Sequence, residues 1–295
     1  MEEFSDLVMK TSMEKESSIV VGLDPIISNF PKNLQGNSNI CKTIYDFNKL
    51  VIDVIHPYVV AIKPQLAYYE VYGSKGILAL EKTIKYARSK GLIIINDAKR
   101  GDIGSTAEAY SEAFLGESSL SGHAVTVNPF LGSDGIVPFL NKSIDSSKGL
   151  FVLLKTSNPS SSELQDLTLY NGNKFYMYLA SLLKGMSTSL GTYGFSNLGA
   201  VVGATYPEQS KILREYLPNT LFLVPGYGEQ GGKLTELEPF FNKNGYGSLI
   251  SSSRSILYSY IKEEPESWGD LKMSQLKEII EAACIQFKED INRIR

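Results

Sequence analysis

Short apolar runs rich in β-branched residues alternate along the chain with longer stretches of helical spacing. A short apolar run bounded by turn residues is typical of a buried strand, whereas apolar residues at i, i+3 and i+4 indicate an amphipathic helix. The pattern predicts eight strands, at residues 18–25, 58–64, 92–96, 123–129, 149–157, 198–205, 220–225 and 247–253. Helices are predicted near residues 4–11, 40–56, 74–89, 174–190 and 276–287, and after Asp102 and Pro207.

Strands and helices alternate to the end of the chain with no linker, repeat or low-complexity segment between them. This order predicts an α/β fold, a single (β/α)8 TIM barrel with a short N-terminal helix, and one domain over residues 1–295. A doubly wound parallel sheet is the alternative, because barrel closure cannot be read from a sequence.

Composition narrows the function classes. The net charge is −3 with no basic block, so the chain offers no electrostatic footprint for nucleic acid. No apolar run approaches the ~18 residues of a membrane span, and the acidic amino terminus lacks the basic region of a signal peptide. Cys41 and Cys284 stand far apart, without metal-site spacing. We therefore expect a cytoplasmic protein that binds neither nucleic acid nor membrane.

The stretch 97–102, DAKRGD, directly follows the third predicted strand. Strand alternation points Asp97 and Lys99 to the same face, Gly101 can turn the chain, and Asp102 begins a helix. A purely structural interpretation is equally compatible with the spacing, with Asp102 as a helix cap and Lys99 as an ion-pair partner of Asp97.

Polar residues recur where the predicted strands end. Barrel enzymes carry their chemistry at the carboxyl ends of the strands. Charges that served stability alone would be scattered over both ends, so five residues at one end favour an active site: Asp24, Lys63, Asp97, Lys99 and Ser157.

A phosphate site is predicted after strands seven and eight. Residues 226–232, GYGEQGG, contain four glycines that let backbone N–H groups approach an anion. Strand eight ends at Arg254, whose guanidinium suits bidentate phosphate binding. A flexible turn and a surface arginine are the alternative interpretation. The polar stretch 158–172 leaves the end of strand five and is a candidate lid.

Residues 97–106, DAKRGDIGST, resemble the D-x-K-x-x-D-I-x-x-T signature of the orotidine 5'-phosphate decarboxylase family. Further matches follow in order over residues 18–257: GLD at 22–24, KPQ at 63–65, TSNP at 156–159, PGYGEQG at 225–231 and RSI at 254–256. The central motif is shared with sugar-phosphate decarboxylases of the same suprafamily, so it is the set of motifs that is specific. The match is to the long-loop branch, and no phosphoribosyltransferase motif accompanies it.

The resemblance implies conversion of orotidine 5'-phosphate to UMP and CO2, the last step of de novo pyrimidine biosynthesis, with no metal or organic cofactor. It assigns Lys63, Asp97, Lys99 and Asp102 to a tetrad of alternating charge, in which Lys99 protonates C6 of the pyrimidine. The chemistry agrees, because loss of CO2 leaves a C6 carbanion without a conjugated electron sink, which fixed charge and a nearby acid must stabilise and protonate.

The resemblance also implies how the nucleotide is bound. Asp24 and Lys63 would hold ribose hydroxyls, and Ser157 would contact the pyrimidine. Gln230 and Arg254, with backbone near Ser253, would hold the phosphate. Asp102 and Thr106 would enter the site of a second copy, which implies a homodimer with shared active sites.

Three other functions are compatible with parts of the pattern. A magnesium-dependent keto-sugar-phosphate decarboxylase would need a carboxylate near Lys63, and a Schiff-base aldolase would need a desolvated lysine in the barrel, for which Lys155 is the candidate. A barrel that binds a phosphorylated ligand without catalysis is the third. His56 and His123 have no ligand partners at metal spacing, and we expect structural roles for both.

Overall fold

A computed structural model describes residues 2–35, 38–187, 189–227 and 234–295. Within these ranges eight parallel strands form a closed barrel in sequence order, with β8 paired to β1. The strands are β1 Ile19–Leu23, β2 Ala61–Pro64, β3 Ile93–Arg100, β4 Ala124–Val127, β5 Gly149–Lys155, β6 Ser196–Val202, β7 Thr220–Val224 and β8 Ser248–Ser252.

Helices connect the strands and surround the barrel. They are α1 Phe4–Glu14, α2 Lys32–Gln35, α3 Ile40–Ile55, α4 Ala67–Glu70, α5 Gly73–Ser89, α6 Gly104–Leu115, α7 Val137–Asp145, α8 Ser162–Gln165, α9 Phe175–Met186, α10 Pro207–Tyr216, α11 Arg254–Leu257, α12 Ser259–Glu263 and α13 Met273–Asn292. Short 3-10 helices lie at Ile27–Asn29, Pro129–Leu131, Ser133–Gly135, Pro159–Ser161, Leu234–Phe240 and Trp268–Asp270.

Helix α1 closes the amino-terminal end of the barrel. The ring of Phe4 packs edge-on against Phe151 at 5.8 Å between centroids. It lies so close to Gly149 that a Cβ at that position would stand 2.3 Å from the ring. This closure leaves the opposite end, where the strands finish, as the open end of the barrel.

The helices bury their apolar faces against the outside of the strands. In α3, the Asn39 side chain accepts a hydrogen bond from Lys42 N at 3.1 Å and caps the first turn. Its buried stripe includes Ile44 and Phe47, and Phe47 stacks on Phe30 at 4.0 Å. This outer layer fixes the strands whose ends carry the polar side chains.

The predicted barrel and its N-terminal helix are confirmed. Strand three is longer than predicted because it continues through the charged stretch to Arg100. Helix α6 begins at Gly104, not at Asp102, and α9 ends at Met186 instead of residue 190. No helix in the described parts of the chain is long and apolar enough to cross a membrane.

Candidate active site

A cavity of about 600 Å³ opens at the carboxyl ends of the strands. Seven of the residues predicted from the sequence line it: Asp24, Lys63, Asp97, Lys99, Ser157, Ser253 and Arg254. The predicted phosphate residue Arg254 therefore shares one cavity with the charged residues of β2 and β3.

The carboxylate of Asp97 is the centre of the charged cluster. Its Oδ1 accepts from Lys99 Nζ at 2.5 Å and from Thr126 Oγ1 at 3.0 Å. Its Oδ2 accepts from Lys63 Nζ at 2.9 Å and from Gln65 Nε2 at 3.0 Å. With two donors on each oxygen, the carboxylate is held in one orientation between two ammonium groups.

Burial and neighbouring charges shift the pKa values of this cluster in opposite directions. Burial by itself raises the pKa of Asp97, but the ammonium groups of Lys63 and Lys99 outweigh it and hold that pKa well below its usual range. Burial likewise opposes the charge on Lys63, whereas Asp97 and Asp24 raise its pKa above the usual value. Both groups are thus charged at neutral pH, although the side chains of Lys63 and Asp97 are only 6% and 8% exposed.

Lys99 reaches the cavity through an irregular backbone. Its φ is +48°, in the left-handed region that costs a non-glycine residue about 1–2 kcal/mol. The register between β3 and β4 shifts between Asn96 and Arg100, so the regular ladder is interrupted here. Lys99 N donates instead to Thr126 Oγ1 at 2.9 Å. Asp97 and Lys99 converge as predicted, but through a bulge and not through simple alternation.

The end of β1 presents Asp24 to the cavity. Tyr258 holds the backbone there, since its hydroxyl donates to Asp24 O at 2.8 Å and accepts from Ile26 N at 2.7 Å. Asp24 Oδ1 is buried and has no hydrogen-bond partner within the described residues. A buried carboxylate oxygen without a donor suits a hydroxyl group of a ligand.

Two glycines allow the neighbouring strand ends to approach. A Cβ at Gly203 would stand 2.6 Å from Ser157 N, and a Cβ at Gly22 would stand 1.9 Å from Ser253 Oγ. The absence of side chains at these positions lets Ser157 and Ser253 reach the cavity wall.

Two predicted residues do not line the cavity, and a third lies outside the described residues. Asp102 follows β3, is half-buried, and accepts from Ile103 N at 2.9 Å. Thr106 is exposed on α6. Neither lines the cavity of its own chain. Gln230, with the glycine-rich residues 228–233, lies outside the described residues. Gly101 does not adopt a positive φ; a Cβ there would approach Asn128 O to 3.1 Å.

The structure adds Gln65 and Thr126 to the charged cluster. In the sequence, Gln65 stands only within the KPQ motif at 63–65, and Thr126 only within the fourth predicted strand. A signal was nevertheless present, because alternation from the barrel-facing Ala124 points Thr126 inward at the end of β4.

Lys155 is fully buried but does not line the cavity. Its Nζ lies 2.9 Å from Asp166 Oδ2 and 4.3 Å from the centroid of the Tyr206 ring. The Schiff-base interpretation needed this lysine inside the barrel and is therefore wrong. The ion pair instead ties the 158–172 segment to the end of β5, and Leu164 and Gln165 of that segment form part of the cavity wall.

His123, just before β4, contacts the backbone of the neighbouring strand β3. His123 accepts from Ile94 N at 3.0 Å through Nδ1, which is the expected structural role. Among the described residues, no group of three or more His, Cys, Asp or Glu side chains is arranged to hold a metal ion.

Comparisons with known proteins agree on one family. The model of the "Orotidine 5'-phosphate decarboxylase / HUMPS family" matches residues 17–265. The orotidine 5'-phosphate decarboxylase of Caldicellulosiruptor saccharolyticus is 38% identical over 300 residues, which covers 95% of this chain and 98% of the relative. Among solved structures, Leishmania donovani OMP decarboxylase superposes with a TM-score of 0.76 at 30% identity, covering 99% of this chain and 98% of that one. Leishmania donovani UMP synthase gives 0.80 at 32% identity, covering 100% of this chain and 57% of that one.

Proposed function

The chain belongs to the orotidine 5'-phosphate decarboxylase / HUMPS family, and from this premise we propose how its residues carry out the reaction. The reaction is the decarboxylation of orotidine 5'-phosphate to UMP and CO2, in pyrimidine biosynthesis. The roles proposed below rest on one observation: in the cavity, the Asp97 carboxylate is held between Lys63 and Lys99.

Lys99 is the proton donor. The bond between C6 and the carboxylate carbon breaks, CO2 leaves, and the electron pair remains on C6. The Lys99 ammonium stabilises this charge and delivers its proton to C6. The side chain suits the role because 43% of it is exposed to the cavity and solvent, while Asp97 fixes its Nζ at 2.5 Å.

Asp97 repels the carboxylate of the bound substrate. Two unit charges ~4 Å apart repel by about 4 kcal/mol at an effective dielectric constant of ~20. The two lysines keep Asp97 ionised, so this repulsion is present in the substrate complex and is relieved as CO2 departs.

The remaining cavity residues bind the nucleotide. Asp24 and Lys63 hold ribose hydroxyls, and the unpartnered oxygen of Asp24 supports this role. Ser157 contacts the pyrimidine from the end of β5. Arg254, with Gln230 and the backbone near Ser253, binds the phosphate, and this remote binding energy raises the rate of the chemical step. Closure of the 158–172 segment over the bound nucleotide belongs to the same proposal.

The active enzyme is a homodimer with shared sites. Asp102 and Thr106 lie outside the cavity of their own chain. Ile103 and Leu131 nearby are exposed apolar side chains; a Cβ at Gly135 would stand 3.4 Å from both Asp102 O and Leu131 Cβ. A second copy on this face would cover those side chains and receive Asp102 in its own site.

A cytoplasmic location is also part of the proposed function. The free buried thiols of Cys41 and Cys284 suit a reducing compartment.

The test is turnover of orotidine 5'-phosphate, followed by ultraviolet absorbance with EDTA present. We expect full activity in the chelator. Loss of activity that added magnesium restores would favour the keto-sugar-phosphate decarboxylase type of chemistry. Binding without turnover would favour the non-catalytic barrel.

A further inference from the structure

We propose that Thr126 is a positioning residue for this reaction, and that its hydroxyl locks the Lys99 backbone to the Asp97 carboxylate. The inference rests on the proposed roles of Asp97 and Lys99. Thr126 itself does not contact the substrate in this proposal, because the residue does not line the cavity.

The geometry of the Thr126 hydroxyl is directional. Oγ1 lies 2.9 Å from Lys99 N and 3.0 Å from Asp97 Oδ1, and the residue is 1% exposed. A hydroxyl has one proton. Because Oγ1 accepts the N–H of Lys99, that proton is directed at Asp97. One buried side chain thus bonds to both residues on which the chemistry depends.

The backbone of Lys99 needs such a partner. Its φ of +48° and the register shift between Asn96 and Arg100 take it out of the regular β3–β4 ladder. The bond from Lys99 N to Thr126 Oγ1 is partly buried. A partly buried N–H that has lost its ladder partner needs another acceptor, and the side chain of Thr126 supplies it. A valine at this position has nearly the same shape but no acceptor, so the left-handed conformation would lose its support.

The hydroxyl is also a neutral donor on a carboxylate otherwise held mainly by cations. Asp97 faces the charged groups of Lys63 and Lys99 directly, and Asp24 acts on the same cluster through Lys63. Without the Thr126 donor, Oδ1 keeps only Lys99, and the carboxylate can rotate with it. We therefore expect misplacement of the Lys99 ammonium, together with a higher pKa for Asp97.

The test compares Thr126→Val with Thr126→Ser. For orotidine 5'-phosphate, Thr126→Val should lower kcat by about tenfold or more, with KM changed by less than about threefold. Thr126→Ser, which keeps the hydroxyl, should restore kcat to within about threefold of wild type.

Thr83→Val is the matched control. Thr83 is also fully buried, donating to Ala79 O at 2.8 Å and accepting from Asn48 Nδ2 at 3.1 Å, but it lies on α5. It should lower thermal stability while kcat for orotidine 5'-phosphate stays within about threefold of wild type. A wild-type kcat in Thr126→Val would overturn the proposal. Equal changes in Thr83→Val, or a Thr126→Ser variant as impaired as Thr126→Val, would do the same.

Two further measurements test the role of Thr126 if Thr126→Val does not fold or if turnover cannot be measured. If Thr126→Val does not fold, Thr126→Ala is compared with Thr126→Ser, and equal kcat values in the two contradict the proposal. Amide hydrogen exchange at Lys99 is independent of the reaction: it should be faster in Thr126→Val than in wild type. Equal exchange rates at Lys99 in the two proteins would refute the positioning role of Thr126, even if the proposed function stands. An inactive wild type with faster exchange in the variant would refute the proposed function alone.

Discussion

Lys99 Nζ lies 2.5 Å from Asp97 Oδ1, although the Lys99 backbone adopts the left-handed conformation, with φ of +48°. Residues held in sparsely populated backbone regions persist only where the surrounding structure fixes them, and they cluster at active sites. Here the fixing contacts are the ion pair and the bond to Thr126. The arrangement places an ammonium beside a buried carboxylate at the open end of the barrel.

Arg254 should act through the phosphate. Arg254→Ala should lower kcat/KM for orotidine 5'-phosphate by about a hundredfold, since it removes charge-assisted hydrogen bonds to a dianion. The truncated nucleoside, which lacks the phosphate, should lose less than about threefold. Arg293→Ala, on the surface after α13, should leave both substrates unchanged. Equal losses for the two substrates in Arg254→Ala would move the phosphate site elsewhere.

Asp102 should serve the neighbouring site. Lys99→Ala and Asp102→Asn chains are each expected to form inactive homodimers. After random mixing half of the dimers are mixed, and each has one intact site, so about a quarter of wild-type activity should return. The control mixes Lys99→Ala with Asp97→Asn, because these residues pair within one chain. That mixture should stay inactive. Negligible recovery with Asp102→Asn, once mixed dimers are demonstrated, would reject the shared site.

His123 should make stability depend on pH. Burial, together with the nearby charges of Arg88 and Lys148, lowers its pKa to about 4 from 6.5. Between these values the unfolded chain binds a proton that the folded chain does not. The free energy of unfolding therefore falls as the pH drops through this window, by up to about 3 kcal/mol.

Urea unfolding at several pH values between 7 and 4 measures this effect. His123→Asn should flatten the dependence, whereas His56→Asn, which changes the only other histidine, should preserve it. An unchanged slope in His123→Asn would show that other groups cause the effect.

The ion pair between Lys155 and Asp166 should stabilise the fold asymmetrically. Lys155 has a fully buried side chain, whereas that of Asp166 is 26% exposed. Asp166→Ala leaves a buried charge without its partner and should cost about 3–5 kcal/mol. Lys155→Met leaves a carboxylate that water can reach and should cost less. The double variant should resemble Lys155→Met in urea unfolding. If both single variants cost the same, burial of the lysine is not the cause.

The barrel was predictable because its signals are local. Apolar runs such as residues 92–96 and alternation within each strand predicted the eight strands and placed Asp97 at the open end. The bulges were not predictable. A register shift lies between Leu153 and Lys155, where alternation from Phe151 would have kept the lysine facing inward. The left-handed Lys99 and its bond to Thr126 likewise depend on how β3 pairs with β4, which is a tertiary property.

The central claim is that the Lys99 ammonium protonates C6. Lys99→Ala removes charge and proton together, whereas Lys99→Arg keeps a charge that cannot be deprotonated in proteins. Lys85→Ala, on the exposed face of α5, is the control and should behave as wild type. The measurement is turnover of orotidine 5'-phosphate by these variants, with binding of UMP titrated in parallel. We predict that both Lys99 variants lose at least about a thousandfold in kcat, while Lys99→Ala binds UMP within about tenfold of wild type. Retention of about a tenth of wild-type turnover by either Lys99 variant would contradict the claim.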